Sequence, residues 1–524
     1  MVSDTGSGRI TPGGQPRIST GFHGSIRNLD MGGPCGFSCC ASARKTEGKK
    51  EKMRIMFAAS EAYPFISTGG LAGVTGSLPA ALQRLGHDVS LVMPLYSEAR
   101  VPENSTWRDA GFSTYTGEKF GVLESRLPGT SVPVYFVSKN EYFNRPGIYG
   151  PDDASAYGDN SERFSFFCRA VTALADVPEM APDVLHCHDW QTGLVPAYIR
   201  QSIRPACVFT IHNLRYQGCF PEDEYTVTLL PRSLYTMYGL EFYGEFSFLK
   251  AGIVFCDRIT TVSPTYAREI QTPEYGEGMD GILRANSYRL SGILNGIDYS
   301  VWDPAADDAI PFNYNAAGIP PRRRGRRLFL EERCLDPSRF TVGVVSRLTR
   351  QKGLDLLFPV AEDLFERGIN LVVLGTGEKV YMDALRKLEQ DHPDCVSISL
   401  TYDEKLARRM FAGCDVIVMP SRFEPCGLAQ MMAMRYGAVP VVRKTGGLAD
   451  TVSDFDEGGT GFVFQRNDPA ELLKNLCRAA NLYNRGNRWP WLVKKCMEQD
   501  NSWDSRAGLY AGVYEDALSR RGDR

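Results

Sequence analysis

The chain has 524 residues, more than one hydrophobic core usually serves, so two or three domains are expected. Apolar residues at 43% and charged residues at 23% are ordinary for a globular protein, and a formal net charge of -3 gives no global pull toward nucleic acid or anionic membrane. No run of about 18 apolar residues is present to form a membrane span, and cysteines without a C-x-x-C pair suit a reduced compartment.

Residues 1–52 are rich in Gly, Ser and Arg, and their acidic residues are few (Asp4, Asp30, Glu47 and Glu51). They show neither strand nor helix periodicity, and an organellar transit peptide has this composition, which would make a plastid the destination. The alternative is a plain extension ahead of a start at Met53, which leaves the protein cytoplasmic. From Met53 onward, short apolar runs predict strands at Ile55–Ala59, Val89–Met93, Val132–Val137, Val184–Cys187, Cys207–Ile211 and Arg258–Val262. Leu71, Val74, Leu78, Ala81, Leu82 and Leu85 share one face at helical spacing. This first domain spans 53–302. A segment of Pro, Ala, Gly and Arg at 303–327 reads as a linker, and its run Arg322, Arg323, Arg324, Arg326 and Arg327 reads as a solvated turn.

A second domain, 328–495, repeats the pattern. Strands are predicted at Val342–Val345, Leu371–Leu374, Val396–Leu400, Val416–Met419 and Val439–Val442, with a helix carrying Leu354, Leu357, Val360, Leu364 and Phe365. Nearly continuous apolar strands alternating with helices indicate α/β domains with doubly wound parallel sheets. A short echo links the halves: Ser67-Thr-Gly-Gly-Leu-Ala-Gly-Val recurs as Lys444-Thr-Gly-Gly-Leu-Ala-Asp-Thr-Val.

Polar residues gather just after these strands, where such sheets bind ligands. Gly69 and Gly70 precede a helix, so their amides and the helix N-terminus suit a phosphate, although a tight turn needs no ligand. Arg347 and Lys352 offer a fork and a point charge to one anion from a single loop. Glu424, in Pro420-Ser-Arg-Phe-Glu-Pro-Cys-Gly-Leu, can accept hydrogen bonds from sugar hydroxyls. Cys426 has no histidine beside it in sequence to make it a nucleophile. His186-Cys-His188-Asp-Trp ends a strand without further metal-ligand spacing, so no metal site is assigned.

Together, His188-Asp-Trp, Thr210-Ile-His-Asn, Phe246-Ser-Phe-Leu-Lys-Ala-Gly, Ser263-Pro-Thr-Tyr-Ala-Arg-Glu-Ile, Leu294-Asn-Gly-Ile-Asp, Ser346-Arg-Leu-Thr-Arg-Gln-Lys-Gly, the Pro420 segment and the Lys444 segment resemble the bacterial glycogen synthase and plant starch synthase family. The resemblance runs from about Met53 to Tyr514. It implies a GT-B architecture, two Rossmann-like domains facing a central cleft, and transfer of glucose from ADP-glucose to the non-reducing end of an α-1,4-glucan with retention. No cofactor and no metal are implied. Arg347 and Lys352 would neutralise the diphosphate. Glu424, Cys426 and Gly427 would line the donor glucose pocket, and His188 and Asn295 would place the sugar. Asp159 matches a polar cleft position, and Thr445, Gly446 and Gly447 would present amides near the donor. The segment 496–524 resembles a helix returning to the first domain. The family's first glycine loop usually carries Lys and Asp where this chain has Ser67 and Gly73. A catalytically weakened glucan-binding or granule-initiation protein on the same scaffold is therefore the alternative.

Overall fold

The computed structural model describes residues 52–524, apart from 109–110, 152–154, 201–204, 487 and 523–524. The leader reading lies outside them, save for Lys52. In the first half the strands are β1 (Arg54–Ala58), β2 (Asp88–Pro94), β3 (Thr106–Trp107), β4 (Gly121–Arg126), β5 (Pro133–Ser138), β6 (Val184–His188), β7 (Ala206–Ile211), β8 (Cys219–Pro221), β9 (Glu241–Phe242), β10 (Glu245–Ser247), β11 (Arg258–Thr261) and β12 (Leu290–Gly292). Nine of them form one sheet in the order β12-β11-β7-β6-β1-β2-β5-β4-β3. Its pairs are parallel from β12 to β5 and antiparallel at β5–β4 and β4–β3. A small antiparallel sheet, β8-β10-β9, stands apart.

The second half holds β13 (Phe340–Val345), β14 (Ile369–Leu374), β15 (Val396–Ser399), β16 (Val416–Met419), β17 (Val439–Arg443) and β18 (Phe462–Phe464). They pair in parallel in the order β15-β14-β13-β16-β17-β18. The central strands β6, β7, β14 and β16 are buried along their whole length, because helices cover both faces of the sheets. Strand order reverses between β1 and β6 in the first lobe and between β13 and β16 in the second. Loops diverge at such switch points and leave a crevice at the strands' C-terminal ends.

The helix Gly70–Arg84 buries Leu71, Val74, Leu78, Ala81 and Leu82, the face that the apolar spacing marks. The helix predicted through Leu354–Phe365 is broken instead. Single turns at Leu354–Leu356 and Phe358–Val360 precede a helix only at Ala361–Glu366. Pro359 lacks the amide that would continue the ladder, which accounts for the interruption.

The basic run is not a solvated turn. Residues Pro320–Glu331 form a helix, so the last part of the 303–327 segment is regular structure. Four-residue spacing puts Arg322 and Arg326 on its buried face while Arg323, Arg324 and Arg327 stay exposed. Arg322 donates to the carbonyls of Tyr436 and Cys414, at 2.9 and 2.7 Å. Arg326 grips both carboxylate oxygens of Asp415, at 2.9 and 2.7 Å, and donates to the carbonyls of Pro337 and Arg339.

The C-terminal helix Asp504–Gly522 lies on the first lobe's sheet. Tyr514 Oη and His186 Nδ1 are 2.9 Å apart, Arg84 pairs with Asp504, and Arg258 pairs with Asp516. The two interlobe crossings are zipped together: Ile297 N donates to Asn501 O at 2.8 Å, and Gly296 packs so closely that a side chain would meet Trp503 N at 2.6 Å. Among the described residues, no helix is long and apolar enough to cross a membrane.

Replacing Asp415 by Ala leaves the Arg326 guanidinium buried without its charge partner and frees the Thr341 amide. The expected loss is about 3–5 kcal/mol of unfolding free energy. Denaturant titration measures it, and a loss below about 1 kcal/mol would contradict a buried ion pair here.

Candidate active site

The second lobe's crevice is built by loops after β13, β16 and β17. After β13, Lys352 Nζ lies 2.6 Å from Glu424 Oε2, and both side chains are largely buried. Ser421 Oγ donates to the same carboxylate oxygen at 3.0 Å. Arg347, from the same loop as Lys352, is exposed, and its guanidinium makes no hydrogen bond or ion pair with another described residue. One cation is thus internally compensated and the other is unengaged.

The glycines here are demanded by the fold. Gly353, Gly427 and Gly446 have φ of 68°, 72° and 45°, a region that L side chains rarely adopt. A side chain on Gly446 would strike Glu424 O at 1.9 Å, and one on Gly447 would strike Cys426 O at 2.1 Å. The turn after β17 therefore interlocks with the Glu424–Cys426 backbone, and Gly447 N donates to Glu424 O at 3.0 Å. Cys426 is buried, and burial pushes its thiol pKa up to about 12, so it is a packed thiol with no nucleophilic role.

In the first lobe His188 ends β6 beside the switch point. Its ring stacks on Phe57 of β1, with centroids 5.2 Å apart, and its Nδ1 lies 2.9 Å from His212 Nε2. Its Nε2 is buried with no hydrogen-bond partner, as is Oδ1 of the buried Asn295. The backbone N–H of Asn295 faces the Cys426 thiol, which brings the two lobes together at this point. His186 is occupied on both nitrogens, by Tyr514 and by Thr210 at 2.6 Å. Among the described residues, no group of three His, Cys, Asp or Glu is arranged to hold a metal ion.

Burial depresses the pKa of all three histidines. His212 falls to about 3, and His186 and His188 lie well below their ordinary 6.5. Asp189, in left-handed backbone at φ 56°, accepts from His212 N at 2.7 Å, and burial still raises its carboxyl to about 7.

The first glycine loop differs in kind from the second. Gly69 is extended, with φ of -173°, and a side chain there would meet nothing within 4 Å. Gly70 and Gly73 would meet only Leu428 Cδ1, at 3.8 Å. Neither strain nor crowding requires glycine at these positions. The loop is held by Glu61, a carboxylate no sequence motif marked. It accepts from Thr68 N at 2.5 Å, from Thr68 Oγ1 at 3.0 Å and from Tyr149 Oη at 3.2 Å.

Cross-lobe contacts close one side of the cleft. Glu269 accepts from Thr445 Oγ1 and Gly446 N, both at 3.0 Å, and Asp450 accepts from Thr265 N and Oγ1 at 2.8 and 2.6 Å. The Gly446 amide is thus engaged by a carboxylate of the other lobe. Asp159 pairs with Arg145 at 2.5 Å, and its neighbour Asn160 donates to Tyr149 O at 2.9 Å.

The chain as a whole is similar to known proteins. The family described as "Starch synthase catalytic domain" matches residues 54–285, and "Glycosyl transferases group 1" matches residues 330–489. The chain is 44% identical over 484 residues to glycogen synthase 1 of Methylococcus capsulatus, covering 89% of this chain and 97% of that one. It is 43% identical to the glycogen synthase of Thermotoga maritima, covering 90% and 100%. The chain belongs to the glycogen and starch synthase family. The catalytic domain of starch synthase IV from Arabidopsis thaliana, solved with ADP and acarbose, superposes with a TM-score of 0.83 at 33% identity, over 90% of this chain and all of that one. A sucrose-phosphate synthase from Thermosynechococcus elongatus, at 17% identity and a TM-score of 0.58, shares the fold alone.

The protein is accordingly a GT-B glucosyltransferase of the glycogen and starch synthase type. Identities of this size over most of the chain do not favour a scaffold that has lost its activity. The departures in the first loop are now concrete. Ser67 makes only a 3.5 Å contact to Gly69 O, and Gly73 has room for a larger residue.

The buried histidines set a pH dependence. His212 binds a proton in the unfolded chain below 6.5 but in the fold only below about 3, so its contribution to stability is lost as pH falls from 6.5. Asp189 acts in the opposite sense between 3.8 and about 7. In His212→Asn, the slope of unfolding free energy against pH near 5.5 should drop by about 1.4 kcal/mol per pH unit. An unchanged slope in denaturant titrations would mean that His212 is already protonated in the fold.

Proposed function

We propose that the protein transfers glucose from ADP-glucose to the non-reducing end of an α-1,4-glucan, with retention and without a metal. The observation that carries the assignment of roles is the grouping of Arg347, Lys352 and Glu424 at the β13/β16 switch point. Two cations suit a departing diphosphate, and a fixed, water-poor site makes each worth more than in water. The C1–phosphate bond breaks with its electron pair leaving on ADP. The acceptor's 4-hydroxyl forms the new bond to C1 on the same face, and its proton leaves with the diphosphate.

Lys352 is shared between Glu424 and the incoming anion. The Glu424 carboxylate stays beside it, oriented by Ser421, and is positioned to accept from sugar hydroxyls. Neutral His188 offers Nε2, and Asn295 offers Oδ1, each buried and unpartnered until a polyhydroxylated ring supplies the hydrogen bonds. ADP is favoured over UDP as the leaving group by the likeness to a starch synthase solved with ADP. A plastid destination belongs to the same proposal and rests on the composition of residues 1–52. A reporter fused to that segment should enter plastids, and a diffuse cytosolic signal would leave the cytoplasmic alternative.

Purified protein given ADP-glucose and a maltooligosaccharide should lengthen the glucan, and more slowly with UDP-glucose. No transfer at saturating donor, with folding verified, would sink the proposal. Lys352→Ala should lower kcat/KM about a hundredfold. A variant that stays folded yet keeps full activity would remove Lys352 from the machinery.

The first loop yields a separate expectation. Ser67→Lys with Gly73→Asp restores one charge-assisted contact, worth about 1.5–3 kcal/mol. The rate with ADP-glucose should rise about tenfold or more, and an unchanged rate would show that the natural loop is compensated elsewhere.

A further inference from the structure

The helix Pro264–Glu269 of the first lobe packs against the helix Gly446–Thr451 of the second. Thr265 and Glu269 are four residues apart, so they share one face of their helix. Thr265 meets Asp450, and Glu269 meets the turn that opens the opposite helix. Both Glu269 carboxylate oxygens accept from Gly446 N, at 3.0 and 3.1 Å, and Oε1 also accepts from Thr445 Oγ1 at 3.0 Å.

Behind Gly446 stands the backbone of Glu424. A Cβ on Gly446 would lie 1.9 Å from Glu424 O, and Gly447 N donates to that same oxygen at 3.0 Å. Gly446 itself sits at φ 45°. A turn with left-handed backbone and main-chain contact on one side has few other places to go. Whatever seats Gly446 therefore also seats Glu424, and Glu424 Oε2 holds Lys352 Nζ at 2.6 Å.

The Glu424 segment has other ties. Arg443, the last residue of β17, donates to the carbonyls of Ser421, at 2.7 Å, and Arg422. Gln351 Nε2 donates to Phe423 O at 3.2 Å. These lie within the second lobe and persist whether the lobes are together or apart. The Glu269 contact exists only when they are together. With the lobes apart, its carboxylate and the Gly446 amide each turn to water. A carboxylate drawn partly out of water is tolerated where protein donors replace that water, and here the replacing donors belong to the turn that fixes Glu424.

We infer that Glu269 is a positioning residue for the donor crevice. By holding Gly446 from the opposite lobe, it seats the turn that fixes Glu424 and, through Glu424, Lys352. The crevice then grips a nucleoside diphosphate fully only while Glu269 is in place. This rests on the reading of the crevice as the site of ADP-glucose.

Three variants test it. Glu269→Ala should raise the Kd for ADP, measured by calorimetry, about tenfold. It should lower kcat with ADP-glucose by a similar factor and leave the KM for a maltooligosaccharide unchanged. Glu269→Gln keeps an oxygen that accepts from Gly446 N, so its Kd should stay within about threefold of wild type. Asp450→Ala cuts the neighbouring cross-lobe contact without removing a partner of Gly446, and it should weaken ADP by no more than about twofold. Equal weakening in Asp450→Ala and Glu269→Ala would mean that the contact merely holds the lobes together, and would overturn the inference. So would an unchanged Kd in Glu269→Ala, or a glutamine variant as weak as the alanine one. Should Glu269→Ala not fold, Glu269→Asp, one methylene short of Gly446, carries the same comparison: about fivefold weakening is expected, and none would overturn the role. Wild type that binds ADP yet transfers no glucose would sink the transferase reading alone, since the ADP measurements still decide the role of Glu269.

Discussion

The second lobe's crevice depends on a steric interlock between two loops. The turn after β17 fits against the backbone of Glu424–Cys426 so closely that Gly446 and Gly447 have no room for a Cβ. That contact fixes Glu424, which in turn holds Lys352. A carboxylate and an ammonium buried together are stable only when their geometry is maintained, because each has lost its water. The interlock supplies that geometry from main-chain atoms, which have few alternative conformations. Arg347 can then remain unengaged without the crevice collapsing around it.

The lobes are joined by contacts of a different character. Glu269 on Gly446, and Asp450 on Thr265, are carboxylate-to-amide hydrogen bonds across the cleft, replaceable by water when it opens. The crossing segments, zipped at Ile297–Asn501 and packed at Gly296–Trp503, cannot be exchanged in this way. Strong zipping at the crossings and replaceable bonds at the mouth are what a hinged cleft requires. The C-terminal helix adds a long-range tie. Tyr514 reaches His186, two residues before His188, so the last helix of the chain braces the strand that carries a site residue.

The buried parallel strands could be read from the sequence because both faces of β1, β7, β14 and β16 are apolar. Several short or part-exposed strands could not. β4 buries only Val122 and Ser125 and carries Glu124 and Arg126, β12 is three part-buried residues, and β9 is two residues long. The burial of Arg322 and Arg326 is not legible, because a charge run carries no sign of burial and their acceptors at Tyr436 and Asp415 lie far along the chain. Glu269 falls within a quoted motif, yet its role depends on Gly446, 177 residues away. Glu61 is clear only once Thr68 and Tyr149 converge on it. Polar residue types at strand ends mark the candidate crevice. Partnerships closed by the tertiary fold were not written in any local pattern.

The two glycine loops look alike in sequence and are physically unlike. In the second, glycine is obligatory, since positive φ and backbone contacts at about 2 Å exclude every other residue. In the first, φ is ordinary and the space around Gly69 is open. Smallness there serves approach by something outside the chain, because the fold itself would tolerate a side chain. This is why replacing the family's Lys and Asp by Ser67 and Gly73 leaves the fold undisturbed. A glycine inside the helix Gly70–Arg84 costs about 1 kcal/mol relative to alanine, and the loop stays anchored from behind by Glu61. Side chains at Ser67 and Gly73 can therefore vary without touching the framework that presents them.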